Sequence, residues 1–126
     1  MNYKQHHILV ADDESRTRFT LSLLFKGQGI RVTTAENGHE AFTIFQRDKF
    51  DLIFSDFSMP GSNGLDLYQR VREIDPDVPF ILFTAATFTS LPNDIFHLEK
   101  PARSAEILET VMPLLPQEDQ RVPSEE

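Results

Sequence analysis

Short apolar runs alternate along the chain with longer segments in which apolar residues recur at helical spacing. The first run covers residues 7–11 and is stopped by Asp12 and Asp13. An uninterrupted apolar run of this length is typical of a strand that is buried on both faces of a sheet. The next segment, residues 14–26, is too long for a strand and is closed by Gly27, which favours a helix.

The same alternation continues through the middle of the chain. Residues 30–34 are β-branched except for Arg31 and alternate in polarity, which is typical of a half-buried strand at the edge of a sheet. Four further elements follow: a helix that begins after Asn37-Gly38 and ends near Asp48-Lys49, a strand at 51–55, a helix that begins beyond Gly64 and ends at Asp75-Pro76, and a strand at 78–83 that runs into Thr84. The third helix is expected to stop there because a residue before proline is disfavoured in the α region.

The pattern weakens after Thr84. Residues 85–93 contain Thr, Ser and Pro92 with little periodicity, so they can form at most one or two helical turns. Only 15 residues separate Thr84 from Lys100, and an alternating fifth strand at 94–99 takes six of them. The remainder is too short for an ordinary helix with two connections. The helix between the fourth and fifth strands is therefore expected to be shortened or absent.

A last helix and a polar tail complete the chain. Residues 104–115 carry apolar side chains at helical spacing, and Ser104 is a suitable N-cap. Residues 116–126 are polar and end in two Glu, which is typical of a disordered tail. Strands and helices thus alternate throughout, which predicts an α/β fold with a doubly wound, five-stranded parallel sheet, helices on both faces and right-handed crossovers.

Composition narrows the class of protein. With 126 residues, 40% of them hydrophobic, the chain fits one globular domain with a single core. The net charge of -8 repels nucleic acid and anionic lipid, so direct nucleic-acid binding is not expected. The absence of cysteine excludes disulfides and thiolate metal sites. No apolar run is long enough to span a membrane and residues 1–7 lack the apolar core of a signal peptide, so a cytoplasmic location is expected.

Candidate chemistry lies where the strands end, because ligands bind outside the carboxyl ends of the strands in such sheets. Asp12 and Asp13 follow the first strand, Asp56 the third, Thr84 the fourth and Lys100 the fifth. Three converging carboxylates repel one another, and a hard divalent cation such as Mg²⁺ or Mn²⁺ would neutralise them. Asp56 could then act as a carboxylate nucleophile on phosphorus. Lys100 would pair with the incoming phosphoryl group, and the Thr84 hydroxyl would donate to one of its oxygens.

These residues, in this order, resemble the receiver domain of bacterial two-component response regulators, and the resemblance covers about residues 6–115. The turn at residues 59–64 also resembles the loop that follows the acceptor in that family. The resemblance implies a flavodoxin-like sheet with strand order 2-1-3-4-5. It also implies a phosphoprotein of a two-component phosphorelay.

The resemblance assigns roles to individual residues. By this likeness, Asp56 is the phospho-acceptor, and the metal is held by Asp12, Asp13, Asp56 and the backbone carbonyl of Ser58. Thr84 corresponds to the hydroxyl residue that moves on activation. Lys100, followed by Pro101, corresponds to the Lys whose following peptide bond is usually cis.

Position 97 departs from the family pattern. The residue three before the Lys is commonly Tyr or Phe in the family and pairs with the Thr as a rotamer switch, but here it is His97. One interpretation is a part-exposed histidine on an edge strand with no special role. The other is that His97 serves as a smaller, titratable switch element.

A further departure concerns the hydrolysis of the phospho-aspartate. The residues two beyond the acceptor and two beyond Thr84 are Ser58 and Ala86, and neither side chain can position an attacking water as a long amide or acid could. Hydrolysis of the phospho-aspartate would then depend on access alone. The remaining histidines are interpreted as surface residues, because no His cluster at metal-binding spacing is present; they are His6, His7 and His39.

The expected function is that of a stand-alone receiver. It would take a phosphoryl group from a histidine kinase or phosphotransfer protein onto Asp56 and catalyse its own phosphorylation and dephosphorylation. It would then signal through a downstream protein, because the segment after Leu115 is too short for an output domain. It would do so as a monomer or as a phosphorylation-dependent dimer. One alternative is a pseudo-receiver that works without phosphorylation. A haloacid-dehalogenase-type phosphatase is disfavoured, because it needs a second acid where Ser58 stands.

Overall fold

A computed structural model describes residues 5–117 of the chain. Five strands and four α-helices follow one another, and a short 3-10 turn succeeds the last helix. Their bounds are β1 His7–Ala11, α1 Ser15–Lys26, β2 Arg31–Ala35, α2 Gly38–Arg47, β3 Leu52–Ser55, α3 Gly64–Ile74, β4 Phe80–Thr84, β5 Ile95–Glu99, α4 Ser104–Val111 and the 3-10 turn Met112–Leu114.

The five strands form one sheet in the order β2-β1-β3-β4-β5, and every neighbouring pair is parallel. The predicted fold class and strand order are confirmed, and so is the prediction that the second strand lies at an edge. The register places Ala11 at the end of β1 level with Ser55 at the end of β3. The next residue of each strand, Asp12 and Asp56, therefore leaves the sheet at the same height.

Apolar side chains pack on both faces of the sheet. The core on one face joins α2 and α3 to the sheet through residues such as Ala41, Phe45, Leu67 and Val71. The core on the other face joins α1 and α4 to the sheet through residues such as Leu21, Phe25, Ile107 and Val111. The helices therefore cover both faces, as predicted. Within residues 5–117, no helix combines the length and the apolar character that crossing a membrane would require.

Residues 85–94 connect β4 to β5 without any helix, which confirms that the fourth helix of the pattern is absent. Two side chains of this connection, Phe88 and Leu91, pack instead against the core that lies under α2 and α3. Asp94, at the end of the connection, accepts hydrogen bonds from the Tyr68 hydroxyl and from Arg72 Nε of α3. The short connection thus covers part of the sheet with single side chains and is fastened to the neighbouring helix.

Two predictions about the last helix are wrong. Ser104 is the first helical residue and not the N-cap; Arg103 takes the cap position, and its N–H donates to the Glu106 carboxylate at 3.1 Å. The α-helix also ends at Val111 rather than Leu115 and continues as the 3-10 turn, which contains Pro113. Proline lacks the N–H that an α-helical turn needs. Most of the predicted disordered tail, residues 118–126, lies outside the described residues.

The prediction that His7 is a surface residue is also wrong, since it is only 5% exposed. Its Nδ1 donates to the Lys49 carbonyl at 2.9 Å, and its Nε2 accepts from the Thr33 hydroxyl at 2.7 Å. The ring also packs on Phe50 with 4.2 Å between centroids. Burial lowers the pKa of His7 below its ordinary 6.5, although the bond to Lys49 opposes this. Both ring nitrogens have partners, so the neutral imidazole is accommodated inside the sheet's amino edge.

Candidate functional site

Three carboxylates meet at the carboxyl edge of β1 and β3. Asp12, Asp13 and Asp56 each offer an oxygen, and these oxygens all lie within 4.8 Å of one another. The backbone fixes this arrangement, because the Asp56 N–H donates to the Ala11 carbonyl at 2.9 Å and the Asp12 N–H donates to the Ala35 carbonyl at 3.1 Å. Strand pairing thus continues one residue beyond the sheet and brings the acids together.

Lys100 supplies the positive charge at this edge. Its Nζ lies 3.1 Å from Asp12 Oδ2 and 3.4 Å from Asp56 Oδ2. Its backbone N–H donates to the Thr84 carbonyl at 3.0 Å, so the pairing of β4 with β5 also continues beyond the sheet. The peptide bond between Lys100 and Pro101 is cis. The side chain of Lys100 therefore reaches across two strand ends to join the carboxylates.

Burial and charge act in opposite directions on this cluster. Burial raises the pKa of Asp12 above its ordinary 3.8, although the Glu14 N–H and the Lys100 ammonium oppose this. For Lys100, burial alone would lower the pKa, but the hydrogen bond and charge of Asp12, followed by Asp56, outweigh it and hold the pKa above 10.5. Lys100 is therefore a cation at neutral pH, and one cation does not neutralise three carboxylates.

The backbone around Asp56 is tightly packed. Its side chain is almost fully buried, and Oδ1 accepts from the Phe57 N–H at 2.7 Å. A Cβ placed on Gly64, the first residue of α3, would lie only 2.4 Å from the Asp56 carbonyl oxygen. Only glycine allows this approach. A capping box between Asn63 and Asp66 then starts the helix, so the beginning of α3 holds the loop after Asp56 in place.

Thr84 and Ser58 stand near the acids without a hydrogen bond to them among residues 5–117. Thr84 is buried at the end of β4, and its hydroxyl accepts from the Ala86 N–H at 3.2 Å. Ser58 is exposed two residues beyond Asp56, and no hydrogen bond within the described part of the chain uses its carbonyl. That carbonyl is therefore available as an oxygen ligand.

Sequence reasoning missed an aromatic contact chain that begins at Phe57, beside Asp56. The rings of Phe57 and Phe88 meet edge to face with 5.1 Å between centroids, and Phe88 meets His97 in the same way at 5.7 Å. His97 itself is exposed on β5. The only sequence signal was a single Phe in a segment without periodicity. Phe88 thus links the residue after Asp56 to the position singled out as a switch candidate.

The donor set at this edge fits a hard divalent cation. The carboxylates of Asp12, Asp13 and Asp56 are oxygen ligands of the kind that Mg²⁺ and Mn²⁺ prefer. The excess of negative over positive charge favours the same class of ion.

Comparisons with known proteins agree with this geometry. The family model described as response regulator receiver domain matches residues 8–111. The response regulator receiver protein CpdR of Brucella abortus is 31% identical over 114 residues, which cover 86% of this chain and 94% of CpdR. The transcriptional regulatory protein GlrR of Escherichia coli is 34% identical over 85 residues, or 68% of this chain, but the match spans only 19% of GlrR.

A solved structure shows the same fold. The response regulator protein TrrA of Thermotoga maritima, determined in complex with Mg(2+)-BeF, superposes with a TM-score of 0.81 at 33% identity and covers 88% of this chain and 100% of its own. The match of the family model extends from β1 through α4. The chain belongs to the response regulator receiver domain family.

Proposed function

We propose that the domain accepts a phosphoryl group on Asp56 in a reaction that depends on Mg²⁺ or Mn²⁺, and that it then signals through a protein partner. The observation that carries this proposal is the meeting of three carboxylates with Lys100 at one edge of the sheet. A carboxylate that is nearly buried, next to a cation and to further acids, is equipped for nucleophilic attack on phosphorus.

The donor in this proposal is a phosphohistidine of a histidine kinase or phosphotransfer protein. A carboxylate oxygen of Asp56 forms a bond to phosphorus while the bond from phosphorus to the imidazole nitrogen breaks, and that nitrogen keeps the electron pair. Lys100 stabilises the oxygens of the transferred group, since its Nζ already lies 3.4 Å from Asp56 Oδ2. A bound divalent cation, held by Asp12, Asp13, Asp56 and the Ser58 carbonyl, would neutralise charge on the phosphoryl oxygens.

Thr84 provides the first response to the new group. Its hydroxyl accepts from the Ala86 N–H in this structure, and it would turn to donate to a phosphoryl oxygen after transfer. The Ala86 N–H would then lose its partner at the start of the β4–β5 connection. Phosphorylation would in this way shift a pre-existing equilibrium of that connection and change the surface offered to a partner.

An apolar surface next to the site suits a protein donor. Phe19 and Leu23 lie one turn apart on α1 and are 65% and 57% exposed. The helix that carries them begins two residues after Asp13. Large apolar side chains that are exposed together on one helix face form the kind of patch that marks protein interaction sites. A phosphohistidine protein docked on this surface would lie beside the acids.

The test uses beryllofluoride and Mg²⁺, followed by amide chemical shifts. Beryllofluoride stands in for the phosphoryl group without a covalent step. We expect large shifts for Phe57 and Ala86 in the wild-type domain, and none in Asp56→Asn, which keeps the size of the side chain and loses its charge. Acetyl phosphate should add a phosphoryl group to the wild-type domain only. A folded wild-type domain that responds to neither reagent would contradict the proposal and favour a pseudo-receiver.

A further inference from the structure

We propose that Arg18 is a positioning residue for the metal site, because it holds the Asp12 carbonyl and thereby aims the exposed carboxylate of Asp13. The inference rests on the proposed function, which makes these acids metal ligands. Arg18 is not among the residues to which the proposed function gives a role, which are the three acids, Lys100, Thr84 and Ser58.

Asp13 is the least constrained of the three acids. Asp12 is 1% exposed and Asp56 is 8% exposed, so packing limits their rotamers. Asp13 is exposed and depends on the backbone on either side of it for its direction. An exposed carboxylate on a loose loop would lose rotamer and backbone freedom when it binds a metal.

Hydrogen bonds fix the backbone on both sides of Asp13. Before it, Arg18 Nη1 donates to the Asp12 carbonyl oxygen at 2.8 Å. After it, the Glu14 N–H donates to Asp12 Oδ1 at 2.9 Å. The Arg18 N–H also donates to the Glu14 carbonyl at 3.1 Å. Arg18 thus ties the peptide that precedes Asp13 to the first turn of α1.

The geometry favours the carbonyl contact as the main role of Arg18. Its side chain is 17% exposed, and its other contact is an ion pair at 3.9 Å with Glu36, whose side chain is 71% exposed. An exposed pair at that distance contributes little. The planar guanidinium can donate from Nη1 to the Asp12 carbonyl while Nη2 remains near the Glu36 carboxylate.

Charge and geometry predict opposite effects for the loss of Arg18. Arg18 carries a positive charge in the first turn of α1, and a positive charge repels Mg²⁺, so its removal would strengthen metal binding if charge alone mattered. The loss of its hydrogen bond to Asp12 would loosen Asp13 and weaken metal binding. Substitutions of residues that orient metal ligands typically weaken metal affinity by about 10-fold to 100-fold. The sign of the change therefore distinguishes the two roles.

The experiment measures the dissociation constant for Mg²⁺ in Arg18→Met, from amide shifts of Asp13 and Phe57. Met keeps the length of the side chain but has neither charge nor donor. We expect Mg²⁺ to bind about 10-fold more weakly. Arg16→Met removes the same charge from an exposed position of the same helix, and we expect unchanged or slightly tighter binding. Thermal melting without Mg²⁺ establishes that each variant is folded.

Each outcome of this measurement either supports or overturns the positioning role of Arg18. Wild-type or tighter affinity in Arg18→Met overturns the inference, while Mg²⁺ binding by the wild-type domain leaves the proposed function intact. Absence of Mg²⁺ binding in the wild-type domain overturns both. If Arg18→Met does not fold, Arg18→Gln is measured instead, because it keeps a polar side chain that is too short to reach the Asp12 carbonyl as Arg18 does. A loss of affinity of about threefold or more then supports the inference, and wild-type affinity overturns it.

Discussion

The acidic edge at β1 and β3 and the connection from β4 to β5 are neighbours that are built in different ways. At the edge, strand register and backbone hydrogen bonds place a carboxylate oxygen of Asp12 and one of Asp56 within 3.4 Å of the Lys100 ammonium. In the connection, residues 85–94 have no regular structure and cover the sheet with single apolar side chains. The first region is fixed by the backbone, and the second by side-chain packing.

The difference shows which part of the domain tolerates a change of architecture. Transfer to a carboxylate needs a few atoms at fixed positions, because a small displacement costs much of the rate. Coverage of an apolar face needs only enough buried surface, which Phe88 and Leu91 supply in place of a helix. The connection can therefore be shortened while the acidic edge keeps its geometry.

The largest expected effect tests the acidic edge. Lys100→Met should slow phosphorylation by acetyl phosphate by about 100-fold, because the variant loses the charge that stabilises the transferred oxygens. The rate can be followed by mass spectrometry of the intact protein. Lys26→Met removes an exposed charge in the last turn of α1 and should react at the wild-type rate. A wild-type rate in Lys100→Met would show that the edge does not depend on its one cation.

The next effect tests whether the two regions are coupled. Phe88→Ala should destabilise the domain by about 2 kcal/mol, below the roughly 3 to 5 kcal/mol of a fully buried Phe, because its ring is only half-buried. Urea unfolding measures this loss. Beryllofluoride should still shift the amide of Phe57 but no longer that of His97, because the Phe88 ring that contacts both residues is gone.

Leu91→Ala is the matched control for this coupling. Leu91 packs on the same core from the same connection, so its loss should also lower stability while the shifts at His97 persist. Equal shifts at His97 in both variants would contradict a route through Phe88.

A smaller effect concerns the fastening of the connection to α3. Asp94→Asn should lower stability by less than about 1 kcal/mol, because the side chain of Asp94 is 49% exposed. The hydrogen bond from Tyr68, together with Arg72, holds the pKa of Asp94 below its ordinary 3.8. Its contribution is therefore present above that value and is lost as pH falls through the lower, folded-state pKa.

Urea midpoints of wild type and Asp94→Asn at about pH 6 and about pH 3 measure this dependence. The difference between the two proteins should shrink at the lower pH. Asp77→Asn, an exposed acid near the start of β4, should show no such change. A difference that stays constant with pH would mean that the carboxylate charge of Asp94 does not fasten the connection.

The smallest effect concerns His97. His97→Phe keeps an aromatic ring against Phe88, so stability should change by less than about 0.5 kcal/mol. The beryllofluoride-induced shifts on β5 should also be the same in the wild type and the variant. Loss of those shifts in the variant would favour a switch role for His97 over an ordinary exposed histidine.

Much of this molecule follows from local patterns. The run at residues 7–11 became β1 with the predicted bounds, and the sheet-edge rule brought Asp12, Asp13 and Asp56 into one cluster. That the helix after Thr84 would be shortened or absent followed from the residue count and from the weak periodicity of residues 85–93. These features depend on periodicity and residue counts, which a single sequence contains.

What the sequence could not predict depends on tertiary contacts. The burial of His7 requires the carbonyl of Lys49 and the hydroxyl of Thr33, which lie on other segments. The contact of Arg18 with the Asp12 carbonyl and that of Phe88 with His97 likewise join positions with no shared local pattern. Such contacts are set by the packed fold and leave no periodic trace.

The missing helix also has a consequence for local unfolding. Residues 85–94 lack the ladder of backbone hydrogen bonds that protects helical amides, and few side chains fasten them. Their amides should exchange with deuterium through a local opening that costs much less than global unfolding. Through Phe88, a segment that can open locally thus lies between Phe57, the residue after Asp56, and His97 of β5. A partner that binds the open form would occupy the place that the Phe88 ring holds between Phe57 and His97 in the closed form.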